Sequence, residues 1–232
     1  MMTMSDPIDP RWPKILSLSV HEFRTPMTVV TGYLRMVLKE KAGPLNEQQR
    51  RLLEEAEKSC GRLTLLLAEV SELSTLEAGT AAFNIQPTDL NVVLATAIQQ
   101  LPPLPDREVD IDLQLVDTEA TVRADAVRLA QALGAIVAAL RRELVTSDRL
   151  IVRAQRSAAQ GRSSYEILVG DDAAVAALAA EEVASGATFD EWRGGVGLSL
   201  MNARRILNAH GGTVHGPANE GKASARILLP GS

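Results

Sequence analysis

Three side chains capable of nucleophilic and acid–base chemistry lie close together near the start of the chain. His21, Glu22 and Thr25 occur in the stretch SVHEFRTPMTVVTGYL. A neutral imidazole is a nucleophile near physiological pH, a carboxylate can accept or orient its proton, and a hydroxyl can position a water molecule. Residues i and i+4 of a helix share a face, so we expect His21 and Thr25 on one surface with Glu22 beside them.

Pro26 follows these residues inside a segment whose pattern is otherwise helical. A proline in a helix interior removes a backbone hydrogen bond and crowds the preceding turn, at a cost of about 3 kcal/mol. We expect Pro26 to leave the Glu22 carbonyl without its usual donor and to allow a local bend there. On spacing alone, a surface histidine beside a tolerated proline remains the alternative interpretation of the stretch.

Two long helices are predicted to position these residues, because apolar side chains recur along both with heptad spacing. The stripes consist of Leu16, Val20, Phe23, Met27, Val30, Leu34 and Val37 in the first helix, and of Leu52, Ala56, Ser59, Leu63, Leu66, Val70 and Leu73 in the second. If the first stripe faces a bundle, His21 faces solvent.

The segment KAGPLNEQQ separates the two helices and predicts a turn, with Asn46 as the N-cap of the second helix. Two antiparallel helices with one stripe each make only a hairpin. A second copy completes an antiparallel four-helix bundle, so we expect a homodimer.

Composition excludes several classes of protein. The net charge of −5 argues against nucleic-acid binding, which is typical of basic domains. Cys60 is the single cysteine of the sequence, so neither a disulfide framework nor a cysteine metal cluster is possible. No apolar run approaches the roughly 18 residues of a membrane span, and the N-terminus lacks the apolar region of a signal peptide. We therefore expect a soluble, cytoplasmic protein without a membrane segment.

The helical repeat is interrupted near residue 80, where Gly79 and Pro87 follow the second stripe. We place a domain boundary there, with a helical hairpin at 12–79 and a second domain at 80–232. Beyond the boundary, strand-like and helix-like segments alternate, and no internal repeat is evident.

The second domain is predicted to be an α+β sandwich, with helices on one face of a mixed sheet. The expected strand pairs lie at 109–125, 149–170 and 211–230. The predicted strands are 109–116, 120–125, 149–155, 164–170, 211–216 and 223–230, and the predicted helices are 89–101, 126–145 and 196–210.

The stretch HEFRTPMTVVTGYL resembles the H-box of two-component sensor histidine kinases, where HE-x-R-T-P lies on the first helix of a dimerising (HisKA-type) phosphotransfer hairpin. LSTLEAG at the end of the hairpin and the α+β domain after it are similar to that family in order and spacing. The resemblance implies His21 as phosphoacceptor and Glu22 as its acid–base partner. It implies that Thr25 orients water when a response regulator is dephosphorylated.

The same resemblance implies a response-regulator receiver domain as partner. In the family, the regulator is recognised on exposed faces of the hairpin near the phosphoacceptor. Here these faces would include Arg24, Thr28 and the second helix around Arg62.

The second domain resembles the Bergerat-type (HATPase-like) ATP-binding domain of these kinases. GGVGLSL, followed by NAHGG, is similar to the G2 glycine box, where backbone N–H groups at a helix N-terminus approach phosphates. The resemblance implies that Gly195 and Gly197 bind the nucleotide, and that His210 in NAHGG is structural. ILVGDDAAV places Asp171 or Asp172 where the family reads adenine, with Asp171 as the candidate, but Ala173 and Val175 replace the G1 glycines. Asp171 equally fits a residue of a strand-end turn.

The helix that matches the N-box departs furthest from the family. DAVRLAQALGAIVAALRREL begins with the Asp-x-x-Arg-Leu pattern, but Ala135 and Ala139 replace the asparagines that hold Mg²⁺ and phosphates. An alanine offers no metal ligand. Phe189 nearly adjoins the G2 glycines, so the ATP lid is almost absent. The resemblance implies ATP and Mg²⁺ as cofactors, whereas these residues supply no metal ligand.

Three functions remain open, and whether the chain is an enzyme remains open with them. The first is an ATP-dependent protein-histidine kinase that passes a phosphoryl group from His21 to a response-regulator aspartate. The second is an ATP-independent histidine phosphotransferase or phosphatase, and the third is a pseudokinase that regulates an active kinase. The alanines at 135 and 139 and the short lid disfavour the first. The His-Glu-x-x-Thr patch disfavours the third.

Overall fold

The computed structural model describes residues 11–145, 147–157, 164–180, 187–191, 197–217 and 223–232. The chain divides into two compact units between residues 81 and 82. None of the helices in the described part of the chain combines the length and the apolar character needed to cross a membrane.

Two helices form the first unit: α1 (Trp12–Leu38) and α2 (Glu47–Glu77). Helix α1 continues through Pro26. The predicted N-cap of α2 is confirmed: the Gln49 N–H donates to the Asn46 side chain over 2.8 Å, and the Asn46 N–H donates to the Gln49 side chain over 3.0 Å. This reciprocal capping box satisfies two backbone donors that the helix itself cannot.

The contact between α1 and α2 uses only part of the two predicted stripes. Val20 is buried on α1, and Cys60 and Leu73 are buried on α2. The buried Ser74 hydroxyl donates to the Pro13 carbonyl over 2.8 Å. The members that remain exposed in the single chain are Phe23, Val30, Leu52, Leu63 and Leu66.

The second unit is an α+β domain, as predicted, with a six-stranded mixed sheet. Its strand order is β2-β4-β5-β8-β7-β6, in which β2 and β4 are parallel and the other neighbours are antiparallel. The strands are β2 (Asp110–Gln114), β4 (Arg149–Ser157), β5 (Ser164–Gly170), β6 (Ala187–Thr188), β7 (Thr213–Gly216) and β8 (Ala225–Pro230). The segments β1 (Gln86–Asp89) and β3 (Thr121–Ala124) form a separate antiparallel pair.

Four helices accompany the sheet: α3 (Leu90–Gln99), α4 (Ala126–Glu143), α5 (Asp172–Ala180) and α6 (Ser199–Ala209). Helix α4 packs against α3 and α6. Helix α5 buries Val175 and Leu178 in a cluster with Ile151 of β4 and Leu168 of β5. The chain therefore folds back onto the sheet immediately after β5.

The expected strand pair at 109–125 is wrong. Strand β2 pairs with β4, and β3 pairs with β1, which the sequence did not predict. Asn91 of α3 explains the separation, because its side-chain amide donates to the Val116 carbonyl over 3.0 Å and accepts from the Val116 N–H over 3.1 Å. The backbone groups that would extend β2 towards a hairpin are therefore engaged by a helix. The pairs at 149–170 and 211–230 are confirmed.

Candidate functional site

His21 lies on the exposed surface of α1, one residue after the buried Val20. Its side chain is 77% exposed and that of Glu22 is 72% exposed. The His21 Nδ1 lies 3.4 Å from Oε1 of Glu22. Because the carboxylate can only accept, a hydrogen bond in this contact requires the hydrogen on Nδ1, and in the neutral imidazole Nε2 then keeps its lone pair.

Thr25 lies one helical turn beyond His21 and is also exposed. In the described part of the chain, no hydrogen bond joins the Thr25 hydroxyl to His21 or Glu22. The structure therefore brings the imidazole and the carboxylate together, and leaves the hydroxyl available to another group. Pro26 has no N–H to offer the Glu22 carbonyl.

A cleft of about 480 Å³ lies between the two helices beside this surface. Arg24 and Thr28, two of the three predicted regulator-recognition residues, line it. Arg62, the third, donates from Nη2 to the Ser59 hydroxyl over 2.7 Å instead. The other lining residues are Met27, Thr31, Gly32, Arg35, Thr64, Leu67 and Ala68. The sequence did not predict this set, because it draws on two helices that only the fold brings together.

In the second unit, Asp171 ends β5 and caps α5. Its Oδ1 accepts from the Ala174 N–H over 2.8 Å, and its carbonyl accepts from the Val175 N–H over 2.9 Å. This arrangement is the turn alternative that the sequence left open. A capping carboxylate satisfies the first turn of the helix, so at least one of its oxygens already has a partner.

The two alanines of α4 lie in the middle of that helix. Ala139 is fully buried and Ala135 is half-buried. Neither methyl side chain can ligate a metal. Among the described residues, no group of three or more His, Cys, Asp or Glu side chains could hold a metal ion.

Asp125 caps the N-terminus of α4. Its carboxylate accepts from the Arg128 N–H over 3.1 Å and from the Asn84 N–H over 3.0 Å. Burial opposes the charged form and raises the pKa of Asp125. These backbone donors, together with the Arg128 charge, outweigh burial and hold the pKa below its usual value.

His210 connects the end of α6 to this cap, as predicted for a structural residue. Its Nε2 accepts from the Asp125 N–H over 2.9 Å, so Nδ1 carries the hydrogen and donates to the Ile206 carbonyl over 2.7 Å. The edge of its ring meets the Phe83 ring at 5.4 Å between centroids. The Arg128 guanidinium lies over the same Phe83 ring.

Of the two predicted glycines, Gly197 lies two residues before α6 with a φ of +66°, a conformation that favours glycine. Gly195 lies outside the described residues. Phe189, the residue that marks the short lid, is buried.

Comparisons with known proteins relate the chain to histidine kinases. Residues 15–79 match the model of the His Kinase A (phospho-acceptor) domain. The chain is 27% identical over 222 residues to the circadian input-output histidine kinase CikA of Synechococcus elongatus, covering 91% of this chain and 29% of the relative. It is 28% identical over 220 residues to the sensor protein VanSC of Enterococcus gallinarum, covering 90% and 58%. The chain thus spans less than two thirds of either relative.

Among solved structures, the fold is similar to full-length ShkA in complex with AMPPNP. The TM-score is 0.65 at 23% identity, over 95% of this chain and 46% of that one. This similarity supports a common fold for the hairpin and the α+β domain.

Proposed function

We propose that this chain, which belongs to the two-component sensor histidine kinase family, exchanges a phosphoryl group between His21 and an aspartate of a response-regulator receiver domain. The observation that carries the proposal is the exposed imidazole whose Nδ1 faces Glu22 at 3.4 Å. Nε2 is then the nitrogen left to react, on a surface wide enough for a protein partner.

The proposed step follows from this geometry. The Nε2 lone pair attacks the phosphorus of an aspartyl phosphate, an N–P bond forms, and the P–O bond to the aspartate breaks with its electron pair leaving on the carboxylate. The imidazole becomes cationic, and the Glu22 carboxylate beside Nδ1–H stabilises that charge. The reverse transfer uses the same groups.

Thr25 is proposed to act on water rather than on the imidazole. Its hydroxyl is exposed on the His21 side of α1 and has no hydrogen bond to His21 or Glu22 among the described residues. A hydroxyl in that position can orient a water molecule towards an aspartyl phosphate docked against the helix. Thr25 then serves dephosphorylation of the regulator.

We further propose a cytoplasmic homodimer. The exposed stripe residues give each hairpin an apolar face that the single chain leaves uncovered. A second hairpin would bury those faces as a four-helix bundle. Such burial stabilises an assembly by roughly 25 cal/mol for each Å² of apolar surface removed from water.

The described residues do not fit the Mg²⁺ and ATP that the family implies. The Ala135 and Ala139 side chains offer no oxygen to a metal, and the Asp171 carboxylate caps α5. These observations favour a second candidate, in which the hairpin transfers or removes phosphate without using ATP. We therefore derive no step through the nucleotide.

Phosphorylation of His21 can be tested with receiver domains from the same genome, each loaded with radiolabelled acetyl phosphate. The chain should acquire a label that is acid-labile and base-stable, as expected of a phosphoramidate. The His21→Gln variant should acquire none, whereas the control His215→Gln should label normally. Labelling of His21→Gln would place the acceptor elsewhere and overturn the proposal.

ATP use can be tested separately by calorimetry, with and without Mg²⁺. Because Ala135 and Ala139 offer no metal ligand, we expect no binding up to about 1 mM nucleotide, a free energy weaker than about −4 kcal/mol. Micromolar binding that depends on Mg²⁺ would restore the kinase interpretation. That result would leave the role of His21 intact.

A further inference from the structure

Arg141 is a buried cation that has no carboxylate partner among the described residues. It lies in the last turn of α4 and is 8% exposed. Its Nη2 donates to the Pro102 carbonyl, and its Nε is enclosed and has no hydrogen-bond partner in the described part of the chain. Burial and the charge of Arg142 both lower the pKa of Arg141, and no acidic group counters them. A buried charge without a counter-ion is costly, which indicates a missing anionic partner.

Arg141 lines a cavity of about 620 Å³ in the second unit. Arg107 lines it too, and its Nη2 donates to the Arg141 carbonyl over 2.9 Å. Arg107 and Arg141 are the two cationic residues of the lining, and we call them the basic wall of the cavity. Its volume lies within the roughly 300–1,000 Å³ that is typical of small-molecule sites.

Three carboxylates complete the lining. Glu108, Asp110 and Asp148 are exposed and form the acidic rim of the cavity. The Asp110 N–H donates to the Asp148 carbonyl over 2.8 Å, which fixes the two residues side by side. The other lining residues are Pro103, Leu104 and Val109.

The cavity therefore separates charge, with the basic wall inside and the acidic rim outside. A simple anion would be attracted by the arginines of the basic wall but repelled by the carboxylates of the acidic rim. A simple cation would be attracted by the rim and repelled by the wall. A molecule with both charges at its two ends satisfies both. We propose that this cavity binds a small zwitterion of the amino-acid or dipeptide class, with its carboxylate on the basic wall and its ammonium group at the acidic rim.

Binding of the full chain to L-alanyl-L-alanine, measured by calorimetry, tests this proposal. We expect a dissociation constant of about 1 mM or below. N-acetyl-alanyl-alanine lacks the ammonium group and alanyl-alaninamide lacks the carboxylate. Each should bind at least about tenfold more weakly, because each leaves one set of charges unpaired.

Two substitutions form a matched pair. Arg141→Met should weaken the dipeptide at least about tenfold, whereas Arg142→Met, next to it on α4 but outside the cavity, should leave the affinity within about twofold. If Arg141→Met does not fold, Asp148→Asn provides a second test. It should weaken the dipeptide, whereas N-acetyl-alanyl-alanine, which the Asp148 carboxylate repels, should bind equally well or more tightly.

Three results would overturn the proposal. One is the absence of dipeptide binding up to about 10 mM. Another is binding of N-acetyl-alanyl-alanine with the same affinity as the dipeptide, which would mean that the site recognises only the carboxylate. The third is an affinity that survives Arg141→Met, which would limit Arg141 to holding the Pro102 segment.

Discussion

At the scale of single residues, carboxylates occupy two different environments in this chain. Glu22 is exposed beside His21, where a carboxylate can stabilise a cationic imidazole. Asp125 and Asp171 instead cap helices through backbone N–H groups. The sequence motif predicted that Glu22 lies beside His21, because neighbouring residues on one helix remain neighbours when the helix forms. For Asp171 the motif left two interpretations open, since an aspartate after a strand suits either a ligand or a cap.

Thr25→Ala should separate two activities of the hairpin. If Thr25 orients water, the variant should lose dephosphorylation of a phosphorylated receiver domain by about 10²-fold or more, the range of one acid–base or positioning group. Transfer to and from His21 should change far less. Both rates can be followed with the labelled receiver domain, with Thr75→Ala at an exposed position of α2 outside the cleft as the control. Equal losses in both rates would remove the role given to Thr25.

Asp125→Ala should destabilise the second unit by about 1–2 kcal/mol, the usual value of a helix N-cap. Because the pKa of Asp125 is lowered in the folded state, its contribution is fully present above the usual pKa and is lost as pH falls through the folded value. The difference between wild type and variant in urea unfolding should therefore be largest near neutral pH and shrink in strong acid. A difference that grows on acidification would contradict this assignment.

At the scale of elements, the heptad stripes of the hairpin contain more apolar residues than the contact between α1 and α2 buries in the single chain. Val20 of α1 is buried, whereas Phe23 of the same stripe is 59% exposed. The pattern alone cannot separate the two, because both positions satisfy the same spacing. The pattern includes every apolar position that the proposed dimer would bury, including positions that only a second copy would cover.

Two adjacent valines of α1 test the proposed dimer directly. Val30 belongs to the predicted stripe and Val29 does not, yet they are 46% and 49% exposed in the single chain. Val30→Asp should weaken dimerisation by more than about tenfold, since it buries an unpaired carboxylate. Val29→Asp should leave it unchanged. Sedimentation equilibrium measures both, and equal effects would argue against the stripe as the interface.

At the scale of the whole molecule, local order was predictable from the sequence and distant pairing was not. The antiparallel pairs β4–β5 and β7–β8 join segments close in sequence, and they were predicted. The parallel pair β2–β4 and the small pair β1–β3 join segments separated by a helix or by other strands. Alternating hydrophobicity predicts a strand but does not predict which other strand it pairs with.

The same limit applies to the sites. His21 and Glu22 are adjacent in the chain, so a short sequence motif was enough to indicate them as candidate site residues. Arg141 was not predicted, because an arginine in the last turn of a helix ordinarily interacts with its carbonyl end. Only the fold buries it and brings Arg107 and the acidic rim to the same cavity.

The position of β8 has a consequence for biosynthesis. Residues 225–230 lie in the interior of the six-stranded sheet, between β5 and β7. A ribosome therefore releases the hairpin and five of the six strands before the strand that joins the two halves of the sheet. Until then β5 and β7 each expose an unpaired edge, which is prone to wrong pairing. Translation that stops short of residue 225 would leave a polypeptide that chaperones must hold, even when its helical hairpin is complete.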